Sequence, residues 1–140
     1  MIKLRAHHLL CLSRNYATKD EWYNKKLTQH AHKIHSRLIK NPNLKIKIIK
    51  KCDDICKKCP HRKGKICKKR EKINYWIKVM DNKVLRLIKI KPNTKHKASE
   101  LFKLTINNIT NKDLRDICRG CEFLKNCIKY RVNKSFVNSI

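Results

Sequence analysis

Glycine is nearly missing from this chain: Gly64 and Gly120 are the only two among 140 residues. A Gly-rich dinucleotide loop and a phosphate-cradling P-loop each need several glycines close together, so both are excluded. No Gly-x-Ser-x-Gly nucleophile elbow is present either. Acidic residues are scarce, ten Asp and Glu against 37 Lys and Arg, which leaves a formal charge of +27. No apolar run approaches the roughly 18 residues of a membrane span. The patch Leu9-Leu10-Cys11-Leu12 is too short for a signal peptide. These absences predict a cytoplasmic protein with no membrane partner. What is present is enough to build on: Phe, Ile, Leu and Val number 37, sufficient for the core of one compact domain.

The charge taken at face value is the footprint of a polyanion binder, because Lys and Arg displace counterions from phosphates. Two features weaken that reading. Lys supplies 28 of the 37 cations, and Lys, Ile and Asn together make 58 residues, a bias that AT-rich codons produce without selection for binding. Arg, the residue that makes bidentate contacts to phosphate and guanine, is scarce. Nor are the basic stretches interleaved with aromatics that would stack exposed bases. Trp22, Tyr23, Tyr75 and Trp76 fall in helical patterns and are read as core.

Eight cysteines are the densest chemical signal. Six form two clusters: Cys56-Lys57-Lys58-Cys59-Pro60 with Cys67 beyond, and Cys118-Arg119-Gly120-Cys121 with Cys127 beyond. A C-x-x-C pair suits a metal because two intervening residues let the backbone curl until both sulfurs face one point. A disulfide framework is disfavoured in a reducing cytosol. A thioredoxin-like pair would need one C-x-x-C in an α/β sheet, and strand signal is slight here. Four thiolates on one zinc leave about −2, and a four-thiolate iron–sulfur cluster is likewise anionic. Lys57, Lys58, Arg62, Lys63, Lys65, Lys68 and Arg119 offset that charge for either metal, so electrostatics does not choose between them.

His7-His8 precedes Leu9-Leu10-Cys11. On a helix, His7 and Cys11 share a face at i, i+4, and His8 and Cys11 at i, i+3, so ligation, support of a ligand, or plain burial are all open. His30, His32 and His35 lie along a helical pattern and are read as solvated or core-edge. Asp53, Asp54 and Asp81 are the acids suited to proton transfer, though capping and salt bridging explain them as well.

The pattern along the chain predicts a mainly α fold with a short two-stranded β element, a single small domain stapled by a Cys-ligated metal site. Residues 1–130 form that domain, and 131–140 a basic, loose tail. Ile2-Lys3-Leu4-Arg5 and Leu44-Lys45-Ile46-Lys47-Ile48 alternate as half-buried strands that pair with each other. Tyr23, Leu27, Ala31, Ile34 and Leu38 recur at helical spacing, opened by a Thr18/Glu21 capping box and ended at Asn41-Pro42. Asp53-Asp54 is placed to cap the first cysteine turn. From Ile66, the positions Ile73, Ile77, Met80, Val84 and Leu87 mark a long helix to about Ile90. A helix over Ala98–Ile106 follows, and Thr110/Asp113 opens another into Cys118. A metal site drawing on both clusters would close a long loop, so the metal-free protein is expected to be loose.

Arg5-Ala6-His7-His8-Leu9-Leu10-Cys11, Asn41-Pro42, Asp53-Asp54-Ile55-Cys56-x-x-Cys59-Pro60, Asp81-x-x-Val84-Leu85 and Ile117-Cys118-Arg119-Gly120-Cys121-Glu122-Phe123 resemble the domain of unknown function 1284 family. Its members are small bacterial and archaeal proteins labelled iron–sulfur-binding. The resemblance runs nearly end to end and carries over to Cys11, Cys56, Cys59, Cys67, Cys118, Cys121 and Cys127, with His7, His8, Asp54 and Asp81. Phe123 stands where the family has Trp. Cys52 has no counterpart and is set aside as incidental.

Three functions follow. The first is an iron–sulfur cluster of unspecified type held by the seven matched cysteines, with His7 and His8 as further candidate ligands, working in electron transfer with a redox partner. The second is a structural zinc module that binds nucleic acid through its basic surface. The third is an unmetallated thiol enzyme using Cys11 with His7 or His8. Whether the protein is an enzyme is left open by its sequence.

Overall fold

The computed structural model describes residues 1–14, 23–69, 71–121 and 124–129. The Thr18/Glu21 box, Trp22, Phe123 and the tail 131–140 lie outside them. The described part is mainly helical with a few short strands.

Strand β1 (Ile2–Leu4) runs parallel to β2 (Lys45–Ile48), with Ile2 opposite Ile46 and Leu4 opposite Ile48. Parallel strands need a crossover, and it contains α1 (Ala6–Leu12) and α2 (Lys25–Lys40). The expected pair is therefore present, and a third strand joins it. β5 (Lys95–Lys97) lies antiparallel on β2 and is one of the strands that pattern reading missed. Its Lys-His-Lys sequence has no buried apolar residue and so no strand periodicity to detect.

Helix α2 opens at Asn24, whose side chain accepts from the Leu27 N–H at 2.8 Å. Tyr23 precedes that cap and is exposed. Helix α3 spans Ile73–Ile88, not the stretch from Ile66. Residues Ile66–Cys67 are instead strand β4, paired with β3 (Arg62–Lys63) across a turn where Gly64 takes φ +61. An L-residue is disfavoured there, which is why the hairpin turns at that glycine. Tyr75 and Trp76 also depart from expectation: both are exposed on α3, packed edge-to-face on each other.

Helix α4 (Ala98–Asn108) follows β5 directly. Helix α5 (Asn111–Ile117) opens with the predicted capping box, Thr110 accepting from the Asp113 N–H while Asp113 accepts from the Thr110 N–H. It runs straight into Cys118. A short α6 (Leu124–Lys129) carries Cys127. One apolar core joins Ile2, Leu4, Leu9, Ile46, Ile48, Val84, Leu101 and Phe102 and extends to Cys118 and Cys127. The sheet, α1, α3 and α4 thus form a platform, and the cysteine segments lie over it.

Candidate metal centre

Asp53 and Asp81 organise the site. Asp53, fully buried, accepts from the Ile55 and Cys56 N–H groups through Oδ1, at 3.0 and 3.2 Å. Its Oδ2 accepts from the Arg5 N–H at 2.7 Å and from His8 Nδ1 at 2.6 Å. It therefore caps the 3₁₀ turn Ile55–Lys58, as the sequence suggested, and also ties that turn to α1. Asp54 works differently: it accepts from the Lys3 N–H at 2.8 Å and pairs with Lys57 at 3.1 Å. His30 donates to the Asp54 carbonyl at 2.7 Å, anchoring the same loop to α2. This is a core-edge role for His30, one of the two expected, whereas His35 is buried outright.

Asp81, from the buried face of α3, accepts from Arg5 Nε at 2.8 Å, the His7 N–H at 3.0 Å and His7 Nδ1 at 2.7 Å. Burial alone would raise its pKa, but His7 and Arg5 outweigh that and hold the carboxyl well below the usual range. Burial and the neighbouring His8 lower His7, so its imidazole is neutral at pH 7. His7 and His8 thus each give Nδ1–H to a different carboxylate, and in neutral His7 this fixes the tautomer in which Nε2 holds the lone pair.

A cavity of about 130 Å³ opens beside these dyads. Its lining includes His7, His8, Cys11, Cys52, Cys56, Cys59, Cys67 and Cys121, with Leu27, Ile55, Ile73, Ile77 and Met80 between them. Segments remote in sequence therefore converge, and all the candidate ligands line one space except Cys118 and Cys127. Those two are buried behind it, and Cys127 hydrogen-bonds Cys11. Cys52, which sequence reasoning set aside, hydrogen-bonds Cys56 in the cavity wall. The only signal that could have recovered it was its position next to Asp53.

His8, Asp53 and Cys56 place one ligand atom each within 4.8 Å of one another, a possible metal-binding group. Both Asp53 oxygens already accept two hydrogen bonds each, filling the lone-pair positions of a carboxylate, so its part there is to orient its neighbours. The Cys56 sulfur and the His8 imidazole are left as the ligating groups of that trio.

No cysteine is in a disulfide. Burial and the charge of Asp53 push Cys56 far up, and burial with Cys121 and Cys127 pushes Cys118 up to about 12. Cys11 is raised by its hydrogen bond with Cys127 and by burial. That direction is opposite to what a thiolate nucleophile needs.

The family model for a protein of unknown function (DUF1284) matches residues 22–127. The chain belongs to the DUF1284 family. Neither a curated protein nor a solved structure matches it. The matched span of the DUF1284 protein contains all the cysteines except Cys11, and begins after the histidine pair. No helix among its described residues is long and apolar enough to cross a membrane.

Proposed function

We propose that this DUF1284 protein is a cytoplasmic iron–sulfur-binding protein, its cluster held by cysteine thiolates and used for electron transfer to a redox partner. The observation that carries this reading is the convergence of cysteines from α1, the 52–67 loop and the segment after α5 on one apolar-walled cavity. Thiols without disulfides are the metal-free form of such a site, and ligation replaces their protons. When bound, the cluster supplies one-electron chemistry. The chain supplies the thiols, the apolar wall and neighbouring cations.

The test is anaerobic purification, with absorbance, metal and acid-labile sulfide measured on one sample. Brown protein containing iron and sulfide is expected. Colourless protein with stoichiometric zinc, or with no metal, overturns the reading.

The sheet favours a second reading, a zinc-stabilised module that binds nucleic acid. Its strands set Lys3 opposite Lys47, Lys47 opposite Lys95 and Lys45 opposite Lys97. Like charges directly opposite destabilise a sheet, and a polyanion would relieve them. Lys3, Lys47, Lys50, Lys51, Lys57 and Arg62 line one adjoining groove. Colourless zinc protein whose affinity for RNA or DNA falls steeply with salt is the outcome that would select this reading.

A further inference from the structure

The eight thiols do not form one group. Cys52 hydrogen-bonds Cys56 and lies within electrostatic range of Cys67, and Cys59 is within range of both Cys52 and Cys67. Cys11 hydrogen-bonds Cys127 and lies within range of Cys121 and Cys118. Cys118 is likewise within range of Cys121 and Cys127. We propose that the protein carries two separate four-thiolate metal sites, one of Cys52, Cys56, Cys59 and Cys67 and the other of Cys11, Cys118, Cys121 and Cys127. This rests on the metal-binding reading above and adds to it the number of sites, the division of ligands and a role for Cys52.

Four thiolates are the full complement of one tetrahedral zinc or one cysteine-held iron–sulfur cluster, so the partition leaves no cysteine over. Each quartet is built on the same local device. The Cys59 N–H bonds the Cys56 carbonyl at 3.0 Å, and the Cys121 N–H bonds the Cys118 carbonyl at 2.8 Å, so both C-x-x-C pairs sit on equivalent tight turns. Each is completed from a distance: by Cys52 and strand residue Cys67 in the first, and by Cys11 of α1 and Cys127 of α6 in the second. All four thiols of the first quartet line the cavity, and Cys11 and Cys121 of the second line it too.

Counter-charge supplies an independent observation. Arg14 is 6% exposed and donates to Asn111 Oδ1 at 3.1 Å, and among the described residues no carboxylate pairs with it. Its neighbours are Cys118 and Cys127. Burying a guanidinium favours an anion beside it. A four-thiolate metal centre carrying about −2 would place one next to Arg14. Arg5 stands near Cys52 in the first quartet, though Asp81 already pairs with it.

The test titrates the reduced, metal-free full chain with cadmium under argon and follows the thiolate-to-metal absorbance band. Two sites give a break at about two equivalents, with equal band intensity for each. Cys52→Ser/Cys67→Ser and Cys118→Ser/Cys127→Ser each bring the break to about one equivalent, and Arg14→Gln weakens uptake at one equivalent only. A wild-type break at one equivalent, or a full band retained in Cys52→Ser/Cys67→Ser, overturns the two-site proposal while leaving metal binding intact. No thiolate band in the wild type overturns metal binding itself. The wild-type break decides the matter even where a double variant fails to fold.

Discussion

Replacing Asp81 by Asn tests the claim that a buried charge network, and not surface pairing, seats α1 on α3. Asp81 is 1% exposed and Arg5 5%, and three hydrogen bonds from Arg5 and His7 end on the one carboxylate. Removing one partner of a buried ion pair costs about 3–5 kcal/mol, since the remaining charge stays desolvated. An Asn oxygen still accepts one of the three bonds, so about 2–4 kcal/mol is expected for Asp81→Asn at pH 7. With a urea dependence of about 2 kcal/mol per molar, the unfolding midpoint falls by about 1–2 M. The internal control is Asp116→Asn. Asp116 and Lys83 pair at 3.2 Å with side chains 56% and 33% exposed, and such a pair contributes less than about 1 kcal/mol. The pH dependence adds a sign. Because the folded state holds the Asp81 carboxyl below its unfolded value near 4, its contribution is complete above that pH and is lost as pH falls further. The variant's acid limb is therefore shallower than the parent's. Equal midpoints for Asp81→Asn and Asp116→Asn would refute the reasoning.

Burial and His32 lower His35 to about 4, so the native state keeps it neutral and stability drains away as pH falls from about 6.5 toward 4. About 3 kcal/mol is at stake, and urea midpoints at pH 7 and pH 5 should separate less in His35→Gln than in the parent. Thr110→Ala removes the cap of α5 and costs about 1 kcal/mol by urea unfolding, whereas Thr110→Ser keeps it; equal losses would refute the capping role. Lys89 ends α3 at φ +58, so Lys89→Gly should raise the melting temperature, corresponding to about 1 kcal/mol, and no rise would deny strain there. Metal removal by a chelator under reducing conditions should speed hydrogen exchange in the Arg62–Cys67 hairpin while α2 amides such as Leu38 stay protected. Uniform loss of protection would show that the whole fold depends on metal.

What the sequence made legible was whatever rests on local pattern. Thr110 and Asp113 stand three apart before an apolar run, and the capping box is there in atomic detail. The alternation at Ile2–Leu4 and Lys45–Ile48 marked two strands because each buries one face. Pattern misled at the aromatics: Trp76 stands three residues after Ile73 yet is exposed, and Tyr75, two residues from both Ile73 and Ile77, falls on the far face of the helix. The hairpin Arg62–Cys67 is nearly all polar and offers no periodicity, so Ile66 was joined to the helix that begins seven residues later. Cys52 was lost for a different reason. Its partners Cys56, Cys59 and Cys67 lie within a loop shaped by Asp53, and the bonds that shape it come from Arg5 and His8. A spacing rule built on C-x-x-C cannot see a cavity-lining thiol whose placement depends on a contact between residues 45 positions apart.

That dependence explains why two adjacent histidines occur on a helix where neighbours face different directions. Successive residues on an α-helix are turned by about 100°, so one carboxylate cannot serve both rings. His7 turns to Asp81 on α3 and His8 to Asp53 in the cysteine loop, which clamps α1 between a rigid helix and the loop that carries the first quartet. Arg5 closes the clamp, giving its side chain to Asp81 and its backbone N–H to Asp53. The loop is thereby positioned before any thiol is ligated. The same arrangement keeps both carboxylates occupied as hydrogen-bond acceptors. Hard oxygen ligands are thus already engaged, which on the proposed metal-binding reading leaves the cavity suited to a soft, thiophilic metal.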